Sequence, residues 1–238
     1  MPLVLEEVKD EQDFDQILPV LWEAFGEPFN SLRRWFIPIH TTPDAAVEAA
    51  KARMVKNWKS HDNLHWVKVT DSESGKIIGA AEWEIRETID DLGKAQQPIN
   101  AYWQSDFTEE KQFCEKLLTS LKEFMKVRMT RPHIELEQLV VHPDHRRRGA
   151  GRMLTNWGIK KADELGVETC VESVPFAIPI YEKYGFGNID GLEPDVAVPN
   201  PSERWQDYAK DDLRVVIMWR PVGHDYRPGV DTAPWKDV

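Results

Sequence analysis

Only two cysteines, Cys114 and Cys170, occur among 238 residues. Two thiols without metal-ligand spacing make neither a disulfide framework nor a zinc module. No apolar run approaches the roughly 20 residues that cross a bilayer. The amino terminus, MPLVLEEVKDEQDFDQ, has acids where a secretory leader has bases and an apolar core. These absences lead us to expect a reduced, cytoplasmic protein with no membrane partner. A positive charge excess is also lacking: 30 Lys and Arg stand against 41 Asp and Glu, a net charge of -11. So acidic a chain tracks phosphate backbones poorly, and no nucleic-acid partner is expected. No internal repeat is visible, and the length suffices for one well-buried core. Residues 1–220 are read as a single domain, and the Pro-rich tail over 221–238 is expected to be poorly ordered.

What the chain does have is concentrated between Ile134 and Leu165, IELEQLVVHPDHRRRGAGRMLTNWGIKKADEL. Ile134–Val141 is apolar and β-branched, as a buried strand requires, with Glu135 and Glu137 its only charges. His142-Pro143-Asp144 supplies a turn, and Met153, Leu154, Trp157, Ile159 and Leu165 mark a helix that Gly166 ends. A helix start exposes four unpaired amides and the positive end of the macrodipole. Gly149 and Gly151 omit the Cβ atoms that would hold off a bulky anion, and Arg146, Arg147 and Arg148 add positive charge just upstream. The junction therefore reads as a polyphosphate site. A dinucleotide-binding Gly-x-Gly-x-x-Gly would need glycine where Leu154 stands, and a P-loop's Gly-Lys-Ser/Thr is absent.

Arg146-x-x-Gly149-x-Gly151, its lead-in Leu139-x-Val141-x-Pro143, and the downstream Tyr181-Glu182-Lys183-Tyr184-Gly185-Phe186 resemble, in order, motifs of the GNAT family of N-acetyltransferases. The resemblance is firm over about residues 134–186 and looser over 3–86. It implies an α/β (α+β) fold: a mixed, mostly antiparallel central sheet of six to seven strands flanked by helices, here with a helical insertion at about 87–132. It implies acetyl-CoA as donor, coenzyme A as product, and direct attack by a primary amine in a ternary complex. Carried onto this chain, the diphosphate falls on Arg146, Arg147, Arg148, Gly149, Ala150, Gly151 and Arg152. The pantetheine arm pairs with the backbone of Leu139, Val140 and Val141, and the Leu139 amide faces the thioester oxygen. Glu135, first, and Glu137, second, fall where the family places a base or a water relay, and alternation puts both on one face. Tyr181 matches the residue that protonates the departing thiolate. Many members carry Asn seven positions before that tyrosine; here Val174 stands there.

The acceptor is less defined. Acid-rich segments at the amino terminus and over 190–212 point to a cationic small-molecule amine, with Trp35, Trp103 and Trp205 as candidate clamps. A peptide acceptor and a non-catalytic acyl-CoA sensor are the alternatives. No metal site emerges, neither cysteine has a nucleophile's setting, and the assembly is left as monomer or homodimer. Elsewhere, patterning predicts a strand at Leu3–Val8, a helix burying Phe14, Ile17, Leu18, Leu21 and Phe25, and another from about Ala45 to Trp58. It also predicts a hairpin of His65–Thr70 and Lys76–Arg86, with a bulge or close approach at Gly79. A helix capped by Thr108, a strand at Val167–Val174, a short helix near Pro179 and strands at 186–189 and 213–219 complete the chain.

Overall fold

Four strands pair antiparallel in chain order: β1 (Leu3–Glu7), β2 (Leu64–Asp71), β3 (Lys76–Arg86) and β4 (His133–Val141). The computed structural model describes residues 2–88 and 99–236. Its sheet is completed by β5 (Glu168–Ser173), β6 (Gly187–Leu192) and β7 (Val215–Arg220), in the order β1-β2-β3-β4-β5-β7-β6. Among the described residues only β4 and β5 run parallel, joined by the crossover helix α5 (Ala150–Leu165). The seven-stranded, mostly antiparallel sheet is the one the motifs implied. Gly79 behaves as its position suggested: the β2–β3 register shifts beside it, and a Cβ there would lie 2.9 Å from the Val140 carbonyl oxygen.

Helices cover both faces. α1 (Phe14–Gly26) and α3 (Pro43–Ser60) bury Phe14, Ile17, Leu18, Leu21, Ala46 and Ala50 against Trp66, Ala80 and Val140. On the opposite face, α5 and the short α6 (Ile178–Glu182) pack on Val67, Val69, Ile78, Trp83 and Leu136. The Thr42 and Thr108 hydroxyls cap α3 and α4 (Glu109–Lys126), each accepting a hydrogen bond from a first-turn amide at 3.2 Å. α4 places Phe113, Leu117, Leu121 and Phe124 in the core, each worth about 1.5–3 kcal/mol of burial. The insertion at about 87–132 is thus anchored by α4, while its residues 89–98 lie outside the described residues.

Two expectations change here. The acid-rich 190–212 segment holds α7 (Glu203–Tyr208), capped by Ser202. Trp205 and Tyr208 pack with Phe113 and with Trp35 from α2 (Arg33–Phe36), so Trp35 and Trp205 are core residues rather than clamps. The tail is also held through residue 236. Trp235 stands edge-on to Trp219 at 6.0 Å, Ala233 is buried, and Tyr226 fills the space where a Cβ on Gly187 would sit. Single aromatic residues, invisible to periodicity, dock a segment whose prolines forbid a strand.

The helix–sheet contact under α5 depends on Gly158, where a Cβ would lie 2.5 Å from the fully buried Trp83 ring. Gly158→Ala should gain about 1 kcal/mol of helix propensity but lose about 1–3 kcal/mol to overpacking. Because the indole is walled in on all sides, the loss should prevail. A lower urea midpoint for Gly158→Ala is the expected outcome; a raised one would refute this packing account.

Candidate active site

The β3–β4 ladder runs from Arg86–His133 to Trp83–Leu136 and resumes at Glu82–Gln138, so Glu137 is the extra residue of a β-bulge. On its other edge β4 pairs with β5 only from His133–Glu168 to Leu136–Val171. Beyond that pair β4 continues to Val141 and β5 to Ser173 without bonding each other. A cavity of about 1250 Å³ opens where they part. It extends from Arg146–Arg152 at the start of α5, past Gln138–Val141, to Glu82, Glu135, Glu137 and Glu172. Phe36, Tyr102, Trp103 and Phe176 stand in its walls.

Alternation and register turn Glu82 and Glu84 of β3, Glu135 of β4, and Cys170 and Glu172 of β5 toward the same sheet face. Glu135 is buried, its Oε2 3.8 Å from both Arg86 Nε and His133 Nε2. Arg86 also donates to Glu84 at 2.6 Å, so one guanidinium serves several carboxylates. Glu137 is accessible from the cleft, yet protein surrounds its carboxylate closely. Burial, and then the charges of Glu135, Glu84 and Glu82, push its pKa well above the carboxylate range against a smaller pull from Arg86. Glu82 is buried and accepts from Trp66 Nε1 at 3.1 Å and Gln138 Nε2 at 2.9 Å. Both bonds favour its anion, but burial outweighs them and raises its pKa to about 7. Burial and Glu135 likewise raise Glu172, whose Oε1 is enclosed without a hydrogen-bond partner among the described residues. Carboxyls whose pKa values are raised by burial and by one another are candidates for general bases.

At the other end of the cavity, Gly149 caps α5 at φ +100°, a backbone only glycine adopts freely, and it offers no side-chain cap to the helix's first amides. A Cβ at Gly151 would touch only Val141, at 3.8 Å, so the amides of this turn are sterically open. The predicted arginines divide in role. Arg146 donates to the Glu27 carbonyl and, at 3.4 Å, to that of Ala24. Arg148 donates to Asp71 at 2.8 Å and to His145 Nδ1 at 2.9 Å. These two staple the turn to the end of α1 and to β2, while Arg147 and Arg152 are exposed at the mouth.

Tyr181 on α6 lines the cavity and stands edge-on to Phe186 at 5.9 Å. Burial pushes its phenol up, so it stays neutral and is a weaker acid than free tyrosine. Leu139, Val140, Val141 and Val174 line the cavity too. Burial raises Cys114 to about 12 and Cys170 well above the usual thiol range, which leaves neither a ready nucleophile. For a metal, the ligand atoms of His133, Glu135 and Cys170 gather within 4.8 Å, as do those of Glu84, Glu135 and Glu137. The Arg86 guanidinium already supplies positive charge beside both groups.

The cleft's acids come from β3, β4 and β5. Neither the amino-terminal acids nor those of 190–212 are among its lining residues, and of the three tryptophans offered as clamps only Trp103 is. Glu82 and Glu172 were missed as site residues. Their signal was present, since each shares the alternation phase that faces Glu135 once β3 and β5 are placed beside β4.

A parted sheet thus joins an open helix start to a floor of carboxylates. The sequence model of the acetyltransferase (GNAT) family matches residues 29–186, and the chain belongs to that family of acyltransferases. Its structure is similar to a protein described as histone acetyltransferase HPA2 and related acetyltransferase from Corynebacterium glutamicum. That match has 20% identity and a TM-score of 0.55, covering 97% of this chain and 100% of the other. The chain also resembles the polyamine N-acetyltransferase of Drosophila melanogaster (14% identity, TM-score 0.57, 92% and 97% covered). A third likeness is a mosquito arylalkylamine N-acetyltransferase-like protein (15% identity, TM-score 0.54, 92% and 99% covered). These likenesses show a shared fold. No curated protein matches the chain by sequence. Among the described residues no helix is long and apolar enough to cross a membrane.

Glu82 makes stability depend on pH. Its folded pKa of about 7 lies above the ordinary 4.5, so folding favours the protonated form. That contribution is complete below about pH 4.5 and is lost as pH rises through about 7. Relative to wild type, Glu82→Gln should therefore become more stable across this window, by up to about 3 kcal/mol at about pH 8. Urea unfolding of both proteins across the range measures it; a difference independent of pH would contradict the assignment.

Proposed function

We propose that this acyltransferase moves an acetyl group from coenzyme A to the primary amine of a small molecule, by direct attack in a ternary complex. One observation carries the reading: a single cavity connects the open amides at Gly149–Gly151 to the carboxylates of β3, β4 and β5. The residues fit such a donor. The uncapped turn, with Arg147 and Arg152 at its mouth, would hold the diphosphate. The edge of β4 at Leu139, Val140 and Val141, left by β5, would take the pantetheine arm as an added strand. Acetyl-CoA, when bound, supplies the acetyl carbon as a thioester open to attack.

The remaining steps belong to the chain's own groups. An alkylammonium has a pKa near 10.4, so its proton must be drawn off before the nitrogen can attack. Glu137 would take it: the bulge sets it outside the ladder, it lines the cavity, and its raised pKa narrows the gap to the amine. Glu135, the first choice by spacing, is buried beside Arg86 and His133 and holds the floor in place. As nitrogen bonds to the carbonyl carbon, a β4 amide, that of Leu139 by the family's pattern, would donate to the oxyanion, a contact worth about 3 kcal/mol. As the carbon–sulfur bond breaks, the proton that the nitrogen must still lose would pass to the departing sulfur, so that the products are the amide and the free thiol. Tyr181 is a weaker acid than a thiol, whose pKa is about 8.5, so it steadies the thiolate by donating a hydrogen bond while keeping its proton.

A small acceptor is supported by the cavity itself, which donor and acceptor must share and which Phe36, Tyr102 and Trp103 wall on the α3 side. The similar structures described as polyamine and arylalkylamine enzymes point the same way.

Thiol release across an amine panel tests this reading. Glu137→Gln should lower kcat by about 10²–10⁴-fold with little change in the KM for acetyl-CoA. Tyr181→Phe should lower it less, and Arg147→Ala should raise that KM while sparing kcat. Full turnover in both Glu137→Gln and Tyr181→Phe would overturn these roles.

A further inference from the structure

The last β4–β5 pair is Leu136–Val171, so Glu137 and Glu172 are each the first residue beyond it, one on either strand. They flank the apex of the opening, and both line the cavity. Their partners differ from those of the other acids. Glu82 accepts from Trp66 and Gln138, and Glu135 lies beside Arg86. Glu172 Oε1 is enclosed with no donor among the described residues, and the charge that acts on it is the repulsive one of Glu135. Of the basic residues near the acceptor end, Arg53 is committed to the Phe36 carbonyl and lies over the Trp103 ring at 4.9 Å. A buried carboxylate in this position is costly until a cation meets it.

We infer that the acceptor carries two cationic centres, the reacting amine beside Glu137 and a second amine or guanidine held by Glu172. This rests on the acetyl-transfer reading, whose acceptor it specifies. Neighbouring strands lie about 4.8 Å apart where paired and farther once they part. The second cation therefore sits a short spacer from the first, as in an aliphatic diamine or an amino-guanidine. Glu172 acts as a specificity-determining residue: it removes little from the chemistry of the transferred proton but discriminates against amines that leave it unpaired.

The test compares putrescine with n-butylamine, which differ only in the second amine. Calorimetry on the protein saturated with coenzyme A reads binding without turnover, and thiol release from acetyl-CoA reads transfer. Putrescine should bind about tenfold or more tightly than butylamine, a difference of about 1.4 kcal/mol or more. Glu172→Gln should erase most of that preference, while Glu172→Asp, which keeps the charge, should retain part of it. Equal affinities in the wild type, or a preference undiminished in folded Glu172→Gln, would overturn the inference. Preferential binding of putrescine with no thiol release from any amine would instead contradict the transfer reading and leave dication recognition standing.

Discussion

A strand inside a sheet has hydrogen-bonding groups on both edges, and those buried on either edge must be met. β4 meets this condition unevenly. β3 serves one edge along its whole length, but β5 serves the other only as far as Leu136. The extra residue at Glu137 coincides with that end. A bulge bends and twists its own strand, which turns β4 away from β5 while leaving β3 attached. The opening, the free edge and the projecting carboxylate thus share one local cause. The glycine turn at the start of α5 is placed at the far end of the same strand, so the open turn and the acid floor are joined through one element.

Beneath the opening the dominant force is desolvation. Glu82 shows the balance: two hydrogen bonds favour its anion, yet burial still carries its pKa to about 7. Arg86 lies beside the floor, and it is already bonded to Glu84. Several carboxylates around one guanidinium cannot all ionise cheaply, so protons remain on some of them near neutrality. The basic turn around Arg147 and Arg152 occupies the opposite end, and the cavity is polarised along its length.

Much of this was legible in the sequence because it is local. The strand, turn and helix from Ile134 to Leu165 follow from β-branching, a proline, two glycines and helical spacing. The Thr108 cap and the apolar spacing of Phe113, Leu117, Leu121 and Phe124 likewise announced α4. What stayed hidden depends on partners distant in the chain. The phase of Glu135 and Glu137 was visible, but the bulge that separates their fates needs the register of β3. Three arginines beside glycines read alike, whereas Ala24, Glu27 and Asp71, far upstream, recruit two of them to brace the turn. Trp235 in a proline-rich tail has no periodicity to declare that it docks on Trp219. Val174, where many relatives carry Asn, lines the cavity and packs beside the α4 cluster, so the departure falls within the site.

The central claim is that β4, parted from β5 at Glu137, offers its free edge to the donor. A crystal structure of the chain with coenzyme A tests it most directly. The account predicts the diphosphate on the amides of Gly149–Gly151 and the pantetheine arm hydrogen-bonded along Leu139–Val141, its sulfur directed toward Tyr181 and Glu137. A nucleotide bound outside this cavity, or β4 and β5 closed on each other in the complex, would contradict it.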